Sequence, residues 1–325
     1  MAIPDEKVAV FVTQKPTKPL PPKKTVRREQ EVHCVVSSRH IMLASEHFQT
    51  LLSGDFEEGL ALRKTGHVTI PLSDDPDTLI ILLNIVHGAT RKVPRQVSLE
   101  LLRKLAVMVN DYGMLGSVEF FADTWIDHSK REGLPGSYTE DVLSWLFVFF
   151  VFERAEEFKD MTKLTQRECD ENFDQNAREI LLPVAIVDSI HQGRLDAINS
   201  AITVVHTFIS KYMDGETHCE TGMDEGLRFA CDSMLLGSLM KGSRKIGIWP
   251  RPYAPFIGQN FRDLAKAIRG IKISDVCGRS SGRRWTSYGG FEGNAHGLEK
   301  QIEDAIIAAE AGLAGLELEK YRKEG

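Results

Sequence analysis

The chain has 325 residues, of which 42% are hydrophobic and 26% charged, the composition of an ordinary globular protein rather than of a disordered, fibrous or membrane one. Because domains usually hold about 100–200 residues, this length predicts two folded units. The 40 basic and 46 acidic residues are well mixed and give a net charge of -6, so we expect no field that would recruit nucleic acid or an anionic membrane.

The cysteines and the apolar runs predict a cytoplasmic or nuclear protein. No C-x-x-C pair occurs among the 5 cysteines, so we expect no secreted disulfide framework. The N-terminus lacks a basic stretch followed by a long apolar one, so no signal peptide is predicted. The longest apolar run, Val142 to Phe152, is far shorter than the ~18–20 residues of a membrane-spanning helix.

Residues 1–30 are expected to form a strand and a loop rich in proline and lysine, partly disordered. Lys7 to Val12 is rich in β-branched residues, and Gln14 to Lys24 then contains four prolines and four lysines. The loop could be a proline-rich recognition peptide, but we favour a solvated connector because such a composition cannot pack. A second strand is predicted from Glu31 to Val36.

Residues 31–132 combine a small sheet with helices. A helix is predicted from Arg39 to Leu52, with a break near Ser45, which can cap a new turn. His67 to Leu72 suits a strand, and Asp75 followed by Pro76 is typical of a helix start. Further helices are predicted after Ser98 and from Met114 to about Ser129.

Residues 137–325 are predicted to form a separate, mostly helical domain after the boundary at Gly133 to Gly136. Ser137 and Glu140 form a capping-box pattern ahead of an aromatic run that suits a buried helix, although its composition would also suit a strand. Periodic apolar residues predict two or three helices between residues 172 and 212. Three further helices are predicted near Phe229 to Met240, Phe261 to Arg269 and Leu298 to Lys323.

Residues 31–132 resemble the BTB/POZ domain. The stretch VVSSRHIMLASEHFQTLLSGDFEEG is similar to the family signature, in which a strand leads into a helix with a His and an Ala-Ser-x-x-Phe-x-x-Leu core. The similarity continues through HVTIPL, LLNIVHG and LAVMVNDY, and His87-Gly88 before a basic turn is typical of BTB proteins expanded in filamentous fungi. The matching positions of the core are His40, Ala44, Ser45, Phe48 and Leu51.

This resemblance implies an α/β (α+β) BTB/POZ domain at residues 31–132, followed by the mostly α-helical domain. It also implies a non-enzymatic adaptor or scaffold that forms homo- or heterodimers and binds protein partners. Some relatives bring substrates to cullin-type ubiquitin ligases. Apolar residues such as Phe48 and Leu51 are expected to be intradomain core before they are interface.

Three cysteines and a histidine of the C-terminal domain are candidate metal ligands: Cys219, Cys231, Cys277 and His296. The stretch Cys231-Asp-Ser-Met-Leu-Leu-Gly-Ser238 resembles proteins that carry Cys and His at comparable places. Three thiolates and one imidazole suit a tetrahedral structural zinc, whose ligand atoms should lie within about 4–5 Å of one another. Against zinc, no two ligands form the close pair of a specific signature, and free buried cysteines are the alternative. No other cofactor is expected, and Cys34 and Cys169 are predicted to serve packing alone.

An enzyme is the alternative function. Gly278-Arg279-Ser280-Ser281-Gly282 matches the nucleophile-elbow pattern of hydrolases, but the pattern needs a buried strand before it and a packed helix after it. A five-residue pattern in a glycine- and serine-rich loop is expected by chance. The nearby Arg279, Arg283, Arg284, Trp285 and Tyr288 could contact nucleic acid, but a solvated loop is favoured because no wider basic face accompanies them.

Overall fold

The computed structural model describes residues 7–13, 31–220, 223–277 and 296–322. The chain divides into two compact units, one comprising Met1–Pro135 with Leu143–Ala155 and the other Gly136–Val142 with Glu156–Gly325. The proline- and lysine-rich segment from Gln14 to Lys24, the hydrolase-like Gly278 to Gly282 and the arginine and aromatic group around Trp285 lie outside the described residues.

A three-stranded sheet of strand order β2-β1-β3 forms the smaller part of the first unit. Its strands are β1 (Lys7–Thr13), β2 (Glu31–Ser37) and β3 (His67–Leu72), as predicted to within a residue. The central strand β1 runs antiparallel to β2 and parallel to β3. In β3 the alternate residues Val68 and Ile70 are buried and their neighbours are exposed, so one face of this strand packs on the core.

Helices make up most of the other described residues of the first unit. Ser45 separates the first two as predicted, because its hydroxyl accepts the backbone N–H of Phe48 and so caps the second. Asp75 and Ser98 are also N-caps, as predicted. The helices are α1 (Ser38–Ala44), α2 (Glu46–Ser53), α3 (Glu57–Thr65), α4 (Pro76–Val86), α5 (Leu99–Tyr112) and α6 (Leu115–Glu132).

The aromatic run forms the helix α7 (Glu140–Val151) rather than a strand. Its residues from 142 to 149 are buried apart from Ser144, and a helix apolar on all sides is stable only in such surroundings. The helix begins at Glu140, so Ser137 is not its N-cap, contrary to the capping-box prediction. Leu143–Ala155 belongs to the first unit, whereas the predicted second domain comprised residues 137–325.

In its described residues the second unit contains helices and no strand. The apolar faces of its last four helices share one core, in which Ile202, Val205, Leu235, Ile268 and Ile306 are fully or almost fully buried. The predicted helix from Leu298 to Lys323 was too long, since the observed helix ends at Ala311. Beyond its end, Gly315 takes a positive φ of 81°, which a helix does not allow. The helices are α8 (Ala155–Glu168), α9 (Phe173–Glu179), α10 (Val184–Met213), α11 (Glu225–Lys245), α12 (Phe261–Arg269) and α13 (Leu298–Ala311).

The described part of the chain is therefore mostly α-helical, and the strands described there lie in the first unit. Within the described ranges, no helix combines the length and the apolar character that crossing a bilayer requires.

Candidate metal centre

Four side chains from different parts of the second unit converge beside helix α11. Cys231 lies on α11 itself, two turns after its N-cap Asp224. Cys219 lies in the segment between α10 and α11, Cys277 follows α12, and His296 directly precedes the residue that caps α13. Because the other three lie outside α11, an ion bound by all four side chains would also tie those parts of the chain to this helix.

The ligand atoms are close enough to share one ion. The Sγ atom of Cys277 lies 3.1 Å from that of Cys219 and 3.1 Å from that of Cys231. The Nε2 atom of His296 lies 3.5 Å from the Sγ atoms of Cys231 and Cys277. All four atoms fall within 4.8 Å of one another, which agrees with the separation expected from the sequence.

These distances exclude disulfide bonds and agree only in part with a tetrahedral coordination shell. None of the cysteines is in a disulfide, and 3.1 Å is well beyond the S–S bond length of about 2.05 Å. Zn–S bonds of about 2.3 Å and Zn–N bonds of about 2.0 Å at tetrahedral angles place sulfur and nitrogen about 3.5 Å apart. The observed S···N distances of 3.5 Å match this value, whereas the 3.1 Å S···S distances are shorter than tetrahedral edges.

Burial favours a neutral imidazole in this cluster. Cys219, Cys231 and Cys277 are almost completely buried. Burial lowers the pKa of His296 despite the nearby carboxylates of Asp232 and Asp275. The hydroxyl of Tyr212 lies 3.2 Å from Nδ1 of His296, so Nε2 is the ring nitrogen that faces the thiols. A neutral imidazole held through its other nitrogen is the form in which histidine binds metals.

A second layer of contacts holds the cysteines in place. Asp232 is buried beside Cys231, and its Oδ2 atom accepts the backbone N–H groups of His218 and Cys219 at 2.6 and 3.2 Å. The Nε–H of Arg228 donates to the carbonyl oxygen of Cys219 at 2.5 Å. The backbone N–H of Val276 donates to the Sγ atom of Cys231 at 3.3 Å, a contact that stabilises a thiolate. Such supporting contacts orient metal ligands and adjust their basicity.

Sequence reasoning missed these supporting residues. Asp232 follows a candidate ligand in the chain, and Arg228 precedes one by a single helical turn, but neither pattern indicates where Cys219 lies. The two remaining cysteines are outside the cluster. Cys169 is buried, which raises its pKa to about 12, and Cys34 is partly buried on β2.

The four residues form the one group of three or more His, Cys, Asp or Glu side chains within reach of a common ion in the described part of the chain. Three thiols and one imidazole are side chains of the types that could hold a metal ion. Comparison with models of known protein families gives no match, and no curated protein is significantly similar to the chain.

Proposed function

We propose that this protein is a non-enzymatic interaction scaffold whose first unit is a BTB/POZ-type module that self-associates and recruits protein partners. The observation that carries the proposal is the coincidence of the signature residues with a particular local architecture. His40, Ala44 and Ser45 lie on or next to α1, and Phe48 and Leu51 lie on α2. This helix pair directly follows β2 in the sheet of order β2-β1-β3, and a helix that follows a strand at this point supports the proposal.

The surface of this unit supports self-association. Phe48 is only 1% exposed and packs on Tyr112, so it belongs to the core. Leu43 of α1 is 88% exposed and Val35 of β2 is 69% exposed. In the described sheet β2 is an edge strand, and edge strands are common sites of pairing between chains. A second copy that covers this region would bury both the apolar side chains and the edge.

The oligomeric state tests this proposal. We expect the purified chain to be a dimer at tens of micromolar in light scattering, and Leu43→Asp to weaken the dimer at least tenfold, because burying an unpaired carboxylate is costly. Val184→Asp is the matched control, since Val184 is 66% exposed at the start of α10, where a carboxylate is tolerated. A monomeric wild type, or equal effects of the two substitutions, would contradict self-association through α1.

We also propose that Cys219, Cys231, Cys277 and His296 bind a structural zinc ion. Three buried sulfur atoms and one imidazole nitrogen would complete a tetrahedral shell, which leaves no open position for catalysis. The bound ion would tie the segments before α11 and after α12 to that helix. These segments are rich in glycine and polar residues, so apolar burial alone would hold them weakly.

Metal analysis tests the zinc proposal. The reduced, purified protein should contain one zinc per chain, and Cys277→Ser should lose most of it, because a hydroxyl is a poor zinc ligand. Cys34→Ser is the matched control, since Cys34 lies outside the cluster, and should keep full occupancy. Absence of zinc from the wild type, or equal occupancy in the two variants, would refute the site.

A further inference from the structure

A groove of about 950 Å³ lies along helix α11, on the second unit. One wall is α11 from Ser233 to Lys245, and the other consists of Ala267 of α12 and the segment from Gly270 to Ser274. None of the ligands of the candidate metal centre lines it, so the groove is a separate feature of the same unit.

The groove is basic although the whole chain carries a net charge of -6. Lys241 and Lys245 lie one turn apart on α11, and Lys272 lies on the opposite wall. Among the described residues that line the groove none is acidic, and within the same part of the chain these three exposed lysines form no ion pair. Three ammonium groups around one concave surface attract an anionic occupant.

Two glycines on the α11 wall have different environments. A Cβ atom on Gly242 would come within 2.6 Å of the Cγ2 atom of Ile271, so contact with the second wall explains that glycine. A Cβ atom on Gly237 would meet nothing within 4 Å. Glycine in a helix interior is unfavourable, so a position with free space and no side chain allows an occupant to approach the backbone.

The dimensions and polarity suit an extended peptide. From Ser233 to Lys245 the helix rises about 18 Å, the length of five or six extended residues. Met234, Ile246 and Ile271 add apolar side chains to the lining of the groove. A compact phosphate group suits it less well, because Lys241 and Lys245 lie in the last turns of α11, where the helix dipole is negative. Carboxylates spread along a peptide place less negative charge at any one point than a phosphate group does.

We infer that this groove binds an acidic, extended segment of a partner protein, with carboxylates at the three lysines and an aliphatic side chain over Met234 and Ile271. The inference names the chemistry of the partner and rests on the proposed recruitment function. It uses a surface of the second unit, so its failure can be measured apart from self-association.

The test is a selection from a display library of random twelve-residue peptides on the immobilised full chain, followed by anisotropy with the labelled consensus peptide. We expect enriched peptides to contain more Asp and Glu than Lys and Arg, and their affinity to fall with added salt. Replacing Lys241, Lys245 and Lys272 by Ala should weaken binding at least tenfold. The control variant replaces three exposed lysines elsewhere, Lys64, Lys163 and Lys300, and should bind like the wild type.

A second variant tests the position of the peptide independently of charge. Gly237→Phe would place a ring in the groove and should weaken binding at least tenfold, whereas Gly116→Phe, at another helical glycine with open space around it, should not. Light scattering on the same samples reports self-association, and Leu43→Asp should lose the dimer while it keeps the peptide. The inference would be overturned if no peptides were enriched or if the enriched peptides were neutral or basic. Equal binding by the groove and control variants would overturn it as well.

Discussion

Arg194 shows how a single buried charge can organise a connecting segment. Its side chain is completely buried on α10. The guanidinium donates to the carbonyl oxygens of Cys169 and Pro255 at 3.1 Å each, of Phe256 at 3.2 Å and of Gln259 at 2.7 Å. Four satisfied N–H groups make the burial of the charge tolerable. The segment before α12 is thereby held to α10 and to the end of α8.

Replacing Arg194 with Ala should therefore lower the free energy of unfolding by about 3 kcal/mol or more, because buried carbonyl groups lose their donors and a cavity remains. Arg251→Ala is the control, since the partly exposed guanidinium of Arg251 donates to the side chains of Asn199 and Thr203, and should cost under about 1 kcal/mol. Urea unfolding of both variants provides the measurement. Similar losses in the two would contradict this role of Arg194.

Sequence reasoning recognised residue types at the candidate site but not the contacts between them. Cys219, Cys231, Cys277 and His296 were selected because sulfur and imidazole are zinc ligands, and their convergence could be judged only from the fold. A signal for Arg194 was present and not used. Ile190, Arg194 and Ile198 are four residues apart, so the arginine falls on the apolar face of its helix.

At the level of elements, caps were easier to predict than close packing. The caps at Ser45, Asp75 and Ser98 depend on local hydrogen bonds, and all three were read from the sequence. Helix α3 was not predicted, and Gly59 within it disfavours a helix. The fold explains this glycine: a Cβ atom there would come within 2.7 Å of the carbonyl oxygen of Gly54 and 2.9 Å of that of Leu52.

The same substitution at two helical glycines should therefore have opposite effects. Gly59→Ala should lower the melting temperature, because the backbone at the end of α2 must move away from the new methyl group. Gly116→Ala should raise it, since a Cβ atom on Gly116 meets nothing within 4 Å and alanine is favoured by about 1 kcal/mol in a helix. Thermal unfolding followed by circular dichroism decides between them. An increase for Gly59→Ala would show that α2 and α3 are not packed this closely.

At the scale of the whole molecule, length alone predicted two folded units, and the structure divides the chain into two. The assignment of Leu143–Ala155 to the first unit could not be read from the sequence. The Gly133 to Gly136 segment is the strongest local break, but a boundary depends on which apolar surfaces meet. Both units contain buried apolar residues of their own, such as Ile41 in the first and Ile202 in the second.

Because all four proposed ligands belong to the second unit, removing the metal should affect the stability of that unit alone. A ligand that binds only the folded state stabilises it by mass action, so a zinc chelator should lower one of two calorimetric transitions and leave the other in place. Ile202→Val should lower the chelator-sensitive transition and Ile41→Val the other one, each by an amount that corresponds to about 1 kcal/mol, since both isoleucines are almost fully buried. A single transition, or a chelator effect on the transition that Ile41→Val marks, would show that the metal-dependent stability is not confined to the second unit.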